Sequence, residues 1–181
     1  MKSILGLFSK IAKGNQGEAL VLESITKLLK TTSNNEENFF IIPKVQIEDT
    51  TISKEIDMIL LHAVYGLFII EVKNWEKLEI TQENDPFSQA KEYRNLFLSK
   101  IKDEFGKVAI NVEFRVVFPK LTYEDAKKFF LENKNLSAFK QHSFFKEDLQ
   151  SKENFKRFFN SSSPTIPNKK RFFKSCIFGN K

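Results

Sequence analysis

The feature that most constrains this chain is the stretch Gly66-Leu-Phe-Ile-Ile-Glu-Val-Lys-Asn-Trp75. Its apolar run through Ile70 reads as a strand buried on both faces. At its end stand Glu71 and Lys73, two positions apart. Side chains on a strand alternate, so Glu71 and Lys73 share one face and Val72 takes the other. Charges at the end of a buried run are costly to keep unless they are used.

The flanking sequence predicts the elements around that strand. Ala19, Leu20, Leu22, Ile25, Leu28 and Leu29 give a helix running to Lys30, with Glu18 in its first turn, where a carboxylate suits the helix dipole. Phe39 to Ile47 reads as a strand whose Pro43 suits an edge or a bulge, and residues 48–53 as a turn. Glu55 to Leu61 and Val64 to Lys73 follow as strands with a tight connection near Ala63, and Leu78 to Ile80 as a short further one. Asp85-Pro86 is a helix start, with Phe87, Ala90, Arg94, Phe97 and Ile101 on one face and Gln89, Tyr93 and Leu96 on an adjacent one. Val108 to Phe118 is strand-like and stops at Pro119, Thr122 to Asp125 reads as a reciprocal helix cap, and Ser143 to Phe145 as a short strand before a last helix over 149–159. This order predicts an α/β fold with a mixed central sheet flanked by helices.

Length and charge set the boundaries. The 181 residues suit one domain over 14–160, preceded by an amphipathic lead-in (Ile4, Leu5, Phe8, Ile11) over 1–13 and followed by a Ser/Pro linker and basic tail over 161–181. The tail holds Lys169, Lys170, Arg171, Lys174 and Lys181 and no acid. Removing those five from the 29 basic residues leaves 24 against 23 acidic ones, so the body is nearly neutral, and the tail reads either as a phosphate-seeking segment or as a solubilising end. Twenty phenylalanines, many in doublets, read as aromatic core filling. A lone Cys176 excludes an internal disulfide and a cysteine-based zinc site, and His62 and His142 leave little for a histidine-rich one. The lead-in is too short for a signal peptide or membrane span, which predicts a cytoplasmic protein with no stable membrane insertion.

The chemistry gathers on the two central strands. Alternation puts Glu55, Asp57, Ile59 and Leu61 on one face of their strand and Ile56, Met58, Leu60 and His62 on the other, so His62 faces away from Asp57. Asp57 beside Glu71 makes two carboxylates that repel unless one is protonated or a divalent cation lies between them. Mg²⁺, which takes a few carboxylates plus waters, suits such a pair. Lys73, about 6–7 Å beyond Glu71 on the same face, is placed to stabilise charge on a phosphoryl group. Phosphodiesters are the substrates that need this combination.

The motifs Gly14-Asn-Gln-Gly17-Glu18, Glu55-Ile-Asp57, Gly66 to Trp75, and Pro86-Phe-Ser-Gln89-Ala-Lys-Glu-Tyr93 occur in that order. Together they resemble the nuclease-related domain (NERD) family of the PD-(D/E)xK nuclease superfamily over roughly residues 14–120. The resemblance implies a restriction-endonuclease-like core and a Mg²⁺-dependent DNA nuclease, with Mn²⁺ as a substitute. It implies Glu18, Asp57 and Glu71 as metal ligands and Lys73 as the catalytic lysine. It implies that Gln89 completes the site or touches the substrate backbone, with Tyr93 supporting it on the same face and contacting nucleic acid, while the composition of the tail, and not the resemblance, offers Lys169, Lys170, Arg171 and Lys174 as nucleic-acid contacts. RNA stays open as a substrate and a homodimer as an assembly. The alternative is a catalytically silent nucleic-acid-binding or scaffolding module of the same fold. Two departures from the superfamily pattern are Ile56, where its name places proline, and Glu76-Lys77, where a glycine-bearing turn is usual.

Overall fold

The computed structural model describes residues 16–32, 39–48, 53–62, 64–106 and 110–159. The lead-in, the Gly14-Asn15 pair, the linker, the basic tail and Cys176 lie outside the described residues. Helix α1 (Gln16–Thr32) is followed by strands β1 (Phe39–Glu48), β2 (Ser53–His62) and β3 (Gly66–Val72), helix α2 (Pro86–Phe105) and strand β4 (Val112–Phe118). Helix α3 (Tyr123–Glu132), a 3-10 segment (Lys134–His142), strand β5 (Ser143–Phe145), helices α4 (Lys146–Gln150) and α5 (Lys152–Phe155), and a 3-10 turn (Lys156–Phe159) complete the order.

The five strands form one mixed sheet in the order β1-β2-β3-β4-β5. β1, β2 and β3 are antiparallel, while β4 and β5 continue parallel to β3. β3 is central, and all seven of its residues are buried. On one face Ile59, Leu61, Ile69, Val116 and Phe118 pack with Phe87, Ala90, Tyr93 and Phe97 of α2 and with Ala126 and Phe130 of α3. On the other, Met58, Leu60, Phe68, Ile70 and Val117 pack with Val21, Ile25 and Leu29 of α1 and with Phe155, Phe158 and Phe159. The phenylalanines fill the core as expected, and the doublet Phe144-Phe145 on β5 supplies one ring to each face.

Local signals behave as the sequence predicts at the helix starts. Asp85 caps α2, its carboxylate accepting from the Phe87 N–H, with Pro86 opening the helix. Thr122 and Asp125 form the reciprocal cap of α3. Three expectations need correction. Residues 78–80 form no strand: Leu78 is buried and Ile80 half-buried against the α2-side core, so packing holds this stretch without a ladder. The helix expected over 149–159 is broken at Ser151, whose hydroxyl accepts from the Asn154 N–H and starts a new short helix. β4 begins at Val112, later than the apolar pattern suggests.

One charge is buried in the middle of the sheet. Arg115 of β4 has no exposed surface, and its guanidinium donates to the Phe158 carbonyl from Nε (3.0 Å) and Nη2 (2.7 Å) while lying over the rings of Phe68, Phe144 and Phe158. It thereby ties the last turn to the middle of the sheet. Arg115→Ala strips the buried Phe158 carbonyl of these donors and opens a void. We expect a loss of about 3–5 kcal/mol, read as a lower urea midpoint.

Candidate active site

The β2–β3 ladder ends at Met58–Ile70, while β2 runs on for five residues, of which the four over 53–56 pair with β1 alone. This leaves a two-stranded arm, residues 45–48 with 53–56. Lys44 falls opposite Asp57, between the pairs Pro43–Met58 and Val45–Ile56, and takes φ 52°, the left-handed region unusual for a side chain of its kind. Beyond it the arm turns its inner face. Ile56, which strict alternation would group with Met58 and Leu60, packs with Ile59 and Leu61, as do Val45 and Ile47. Lys54 on the arm reaches Glu92 of α2 at 3.5 Å. Strand alternation therefore holds along β3 but fails across Asp57, because the backbone twists there.

Where the arm departs from β3, side chains converge. The Val72 N–H points toward β2 beyond the end of the ladder, and Asp57 Oδ2 accepts from it at 2.7 Å. Glu71, 3% exposed, accepts from Lys73 Nζ through Oε1 at 2.8 Å, and its buried Oε2 has no hydrogen-bond partner. Lys73 Nζ also donates to Gln89 Oε1 at 3.0 Å, which turns the Gln89 amide so that Nε2 donates to the Tyr93 hydroxyl at 2.7 Å. Asp85 sets the first turn of α2 and so the position of Gln89. Gly17 does the same for α1: a Cβ there would lie 2.8 Å from Asn74 Cβ and Cγ, so only glycine lets α1 start against the chain leaving β3. That contact brings Glu18, one residue on, over the site.

Lys44 is the residue that motif reading misses. Its ammonium, almost fully buried, lies 2.7 Å from Glu18 Oε2, 2.8 Å from Glu55 Oε1 and 3.3 Å from Asp57 Oδ1. A signal was present, since Lys44 is the one charge in the run Phe39 to Ile47. Burial alone would lower its pKa, but hydrogen bonds to Glu18 and Glu55 and the charge of Asp57 outweigh it and hold the lysine above its ordinary value.

The carboxylates are shifted as a crowded pair. Burial first, then the charge of Asp57, pushes Glu71 up to about 7, with Lys73 opposing. Burial raises Asp57 as well, against the Val72 N–H. His62 is buried on the α1 side, held down to about 4 by desolvation, away from this cluster.

The predicted residues Glu18, Asp57, Glu71, Lys73 and Gln89 are thus gathered at one end of β3. Tyr93 is only 6% exposed and reaches the site through its hydroxyl, which accepts from Gln89 Nε2. Lys169, Lys170, Arg171 and Lys174 lie outside the described residues. Among the described residues no group of three or more His, Cys, Asp or Glu is arranged to hold a metal ion, and no helix is long and apolar enough to cross a membrane.

A mixed sheet flanked by helices, whose central strand ends in Glu-x-Lys beside an aspartate from the adjacent strand, defines an α/β protein with its polar cluster at one strand end. The nuclease-related domain profile matches residues 13–119, and the chain belongs to that family. No curated protein matches it. Among solved structures it is similar to protein VC1899 from Vibrio cholerae (12% identity, TM-score 0.51, covering 82% of this chain and 34% of that one). It is also similar to a repair endonuclease from Pyrococcus abyssi (22%, 0.37, covering 74% and 47%). A third similar structure is Can2 from Sulfobacillus thermosulfidooxidans in complex with cyclic tetra-adenylate (18%, 0.40, covering 80% and 36%). The chain spans between about a third and a half of the length of these proteins.

The raised Glu71 pKa fixes the sign of a pH effect. Between its ordinary 4.5 and about 7 the folded protein holds a proton that the unfolded chain releases. This contribution is fully present below about 4.5 and is lost as pH rises through about 7. Without divalent ions, Glu71→Gln is expected to raise stability at pH 8 by on the order of 2 kcal/mol and to leave it little changed at pH 4.5. Thermal unfolding of both proteins in EDTA at the two pH values measures this.

Proposed function

We propose that this nuclease-related domain is a divalent-metal-dependent nuclease that hydrolyses DNA phosphodiester bonds. The observation that carries the reading is the buried, unpartnered Glu71 Oε2 beside Asp57, on a residue bonded to Lys73. An orphaned buried carboxylate oxygen is expensive, and a cation removes the cost. The donor set fits Mg²⁺, which takes one or two carboxylates and completes its shell with water and substrate oxygens. Charge agrees: Glu18, Glu55, Asp57 and Glu71 against Lys44 and Lys73 leave two negative charges when all are ionised.

Asp57 and Glu71 would hold the ion, with Mn²⁺ as a substitute. A divalent cation held there supplies Lewis-acid polarisation of a phosphoryl oxygen and a more acidic water. Water attacks phosphorus as the bridging P–O bond breaks, the electron pair of that bond leaving with the oxygen and the proton lost by the water passing through solvent to it. Lys73 spends two of its three N–H donors on Glu71 and Gln89, and the third is free in number to meet a phosphoryl oxygen as charge builds. Gln89, itself held by Tyr93, keeps the ammonium aimed. The Lys169, Lys170, Arg171 and Lys174 tail adds sequence-independent affinity that weakens with salt.

Cleavage of end-labelled DNA with Mg²⁺ or Mn²⁺ tests this, with labelled RNA as the competing substrate. Lys73→Ala is expected to lower the rate by about 10²–10³-fold, and equal rates would remove the lysine's role. One observation favours a second reading, a silent nucleic-acid-binding module: the Lys44 ammonium already neutralises part of the acidic cluster. The two readings part in a thermal shift with Mn²⁺. A nuclease site is stabilised by several degrees and loses the response in Asp57→Asn, whereas a silent module binds DNA with no Mn²⁺ response.

A further inference from the structure

We propose that Lys44 is a tethered cation that takes Glu18 and Glu55 out of the metal's reach and confines the site to a single divalent ion between Asp57 and Glu71. This rests on the metal-dependent reading above and assigns Lys44 a positioning role within it.

The first argument is saturation. An ammonium has three N–H donors, and three carboxylate oxygens, one each from Glu18, Glu55 and Asp57, lie 2.7, 2.8 and 3.3 Å from Lys44 Nζ. The side chain is 8% exposed, so it has neither a donor nor a surface left for substrate. The second is size. Contacts of about 2.7–2.9 Å suit a charge-assisted N–H···O bond, whereas Mg²⁺ requires oxygens at about 2.0–2.1 Å. The oxygens around Lys44 are spaced for an ammonium. The third is electrostatic. Four carboxylates without Lys44 would face only Lys73 and carry three net negative charges, one more than a single divalent ion balances.

The backbone carries part of the cost. Lys44 holds φ 52°, a left-handed conformation that is unfavourable for a residue carrying a side chain. An inward-pointing charge on an edge strand also discourages pairing with other chains, and that role alone would account for a buried lysine on β1. The two roles differ in what they move: edge protection affects stability and aggregation, whereas a tethered cation sets the number and affinity of bound ions.

Mn²⁺ titration followed by electron paramagnetic resonance of the free ion separates them, using the full chain as wild type, Lys44→Met, Lys44→Arg and Glu18→Gln. Far-UV circular dichroism and melting temperature check that each variant is folded. Wild type is expected to bind one ion. Lys44→Met should bind its first ion about tenfold more tightly and gain a second. Lys44→Arg, which keeps the charge, should retain one ion, and Glu18→Gln should stay within about fivefold of wild-type affinity because its carboxylate serves Lys44 and not the metal. Lys44→Met equal to wild type in number and affinity would overturn the proposal. So would a loss well beyond tenfold in Glu18→Gln, which would make Glu18 a direct ligand. Should Lys44→Met fail to fold, the other two variants still decide. No ion in wild type with binding restored in Lys44→Met would end both the metal-dependent reading of the native protein and the single-ion proposal. No ion in either would end both.

Discussion

The site depends on one hydrogen bond, from the Val72 N–H to Asp57 Oδ2 at 2.7 Å. Along β3 the N–H groups of Leu67 and Lys73 point to the β4 side, bonding Asn111 and Val117, so that of Val72 points to β2. There the ladder has already ended. A buried N–H without a partner costs about 1–3 kcal/mol, and the aspartate side chain supplies the acceptor that the departing strand no longer can. The same contact that completes the sheet brings Asp57 to Glu71. Structural need and site assembly are met by one carboxylate.

Around that bond the fold is a problem of holding three elements at one strand end. β3 is fixed by burial on both faces, with Arg115 and the Phe158 region closing one side and α2 the other. α1 and α2 each deliver a polar side chain in their first turns, and each start is fixed by a local device. Gly17 against Asn74 admits α1, and Asp85 with Pro86 starts α2. Helix beginnings, where side chains can reach past the end of a sheet, are therefore where Glu18 and Gln89 are found.

This explains what could be read in the sequence. β3, its Glu71-Lys73 pair, the α2 cap and the position of Gln89 follow from short-range patterns: an apolar run, a two-residue period, an Asp-Pro start. The mixed sheet follows from element order. What could not be read depends on twist and register. The arm beyond Asp57 turns because Lys44 adopts a left-handed backbone that no propensity for lysine foretells. Alternation therefore misplaces Ile56, and short-range pattern does not name the partner of Glu18 and Glu55, although Lys44 is the one charge in its apolar run. Periodicity puts Tyr93 on the Gln89 face of α2, but its depth depends on how closely α2 packs, which periodicity does not report.

The electrostatics explain why such a cluster is stable before any ion binds. Four carboxylates at one strand end would repel, and the chain answers at two points with different means. Near Asp57 a lysine is folded in permanently, with Glu18 and Glu55 as its other partners. Near Glu71 compensation is incomplete: Lys73 satisfies one oxygen, the other is left buried and bare, and the pKa is driven to about 7. The folded protein thus keeps its negative deficit on one side of the cluster. On the proposed reading, an orphaned carboxylate oxygen next to a lysine with an N–H to spare would direct a cation and an anionic phosphate to neighbouring points, the geometry that phosphodiester hydrolysis asks of a protein.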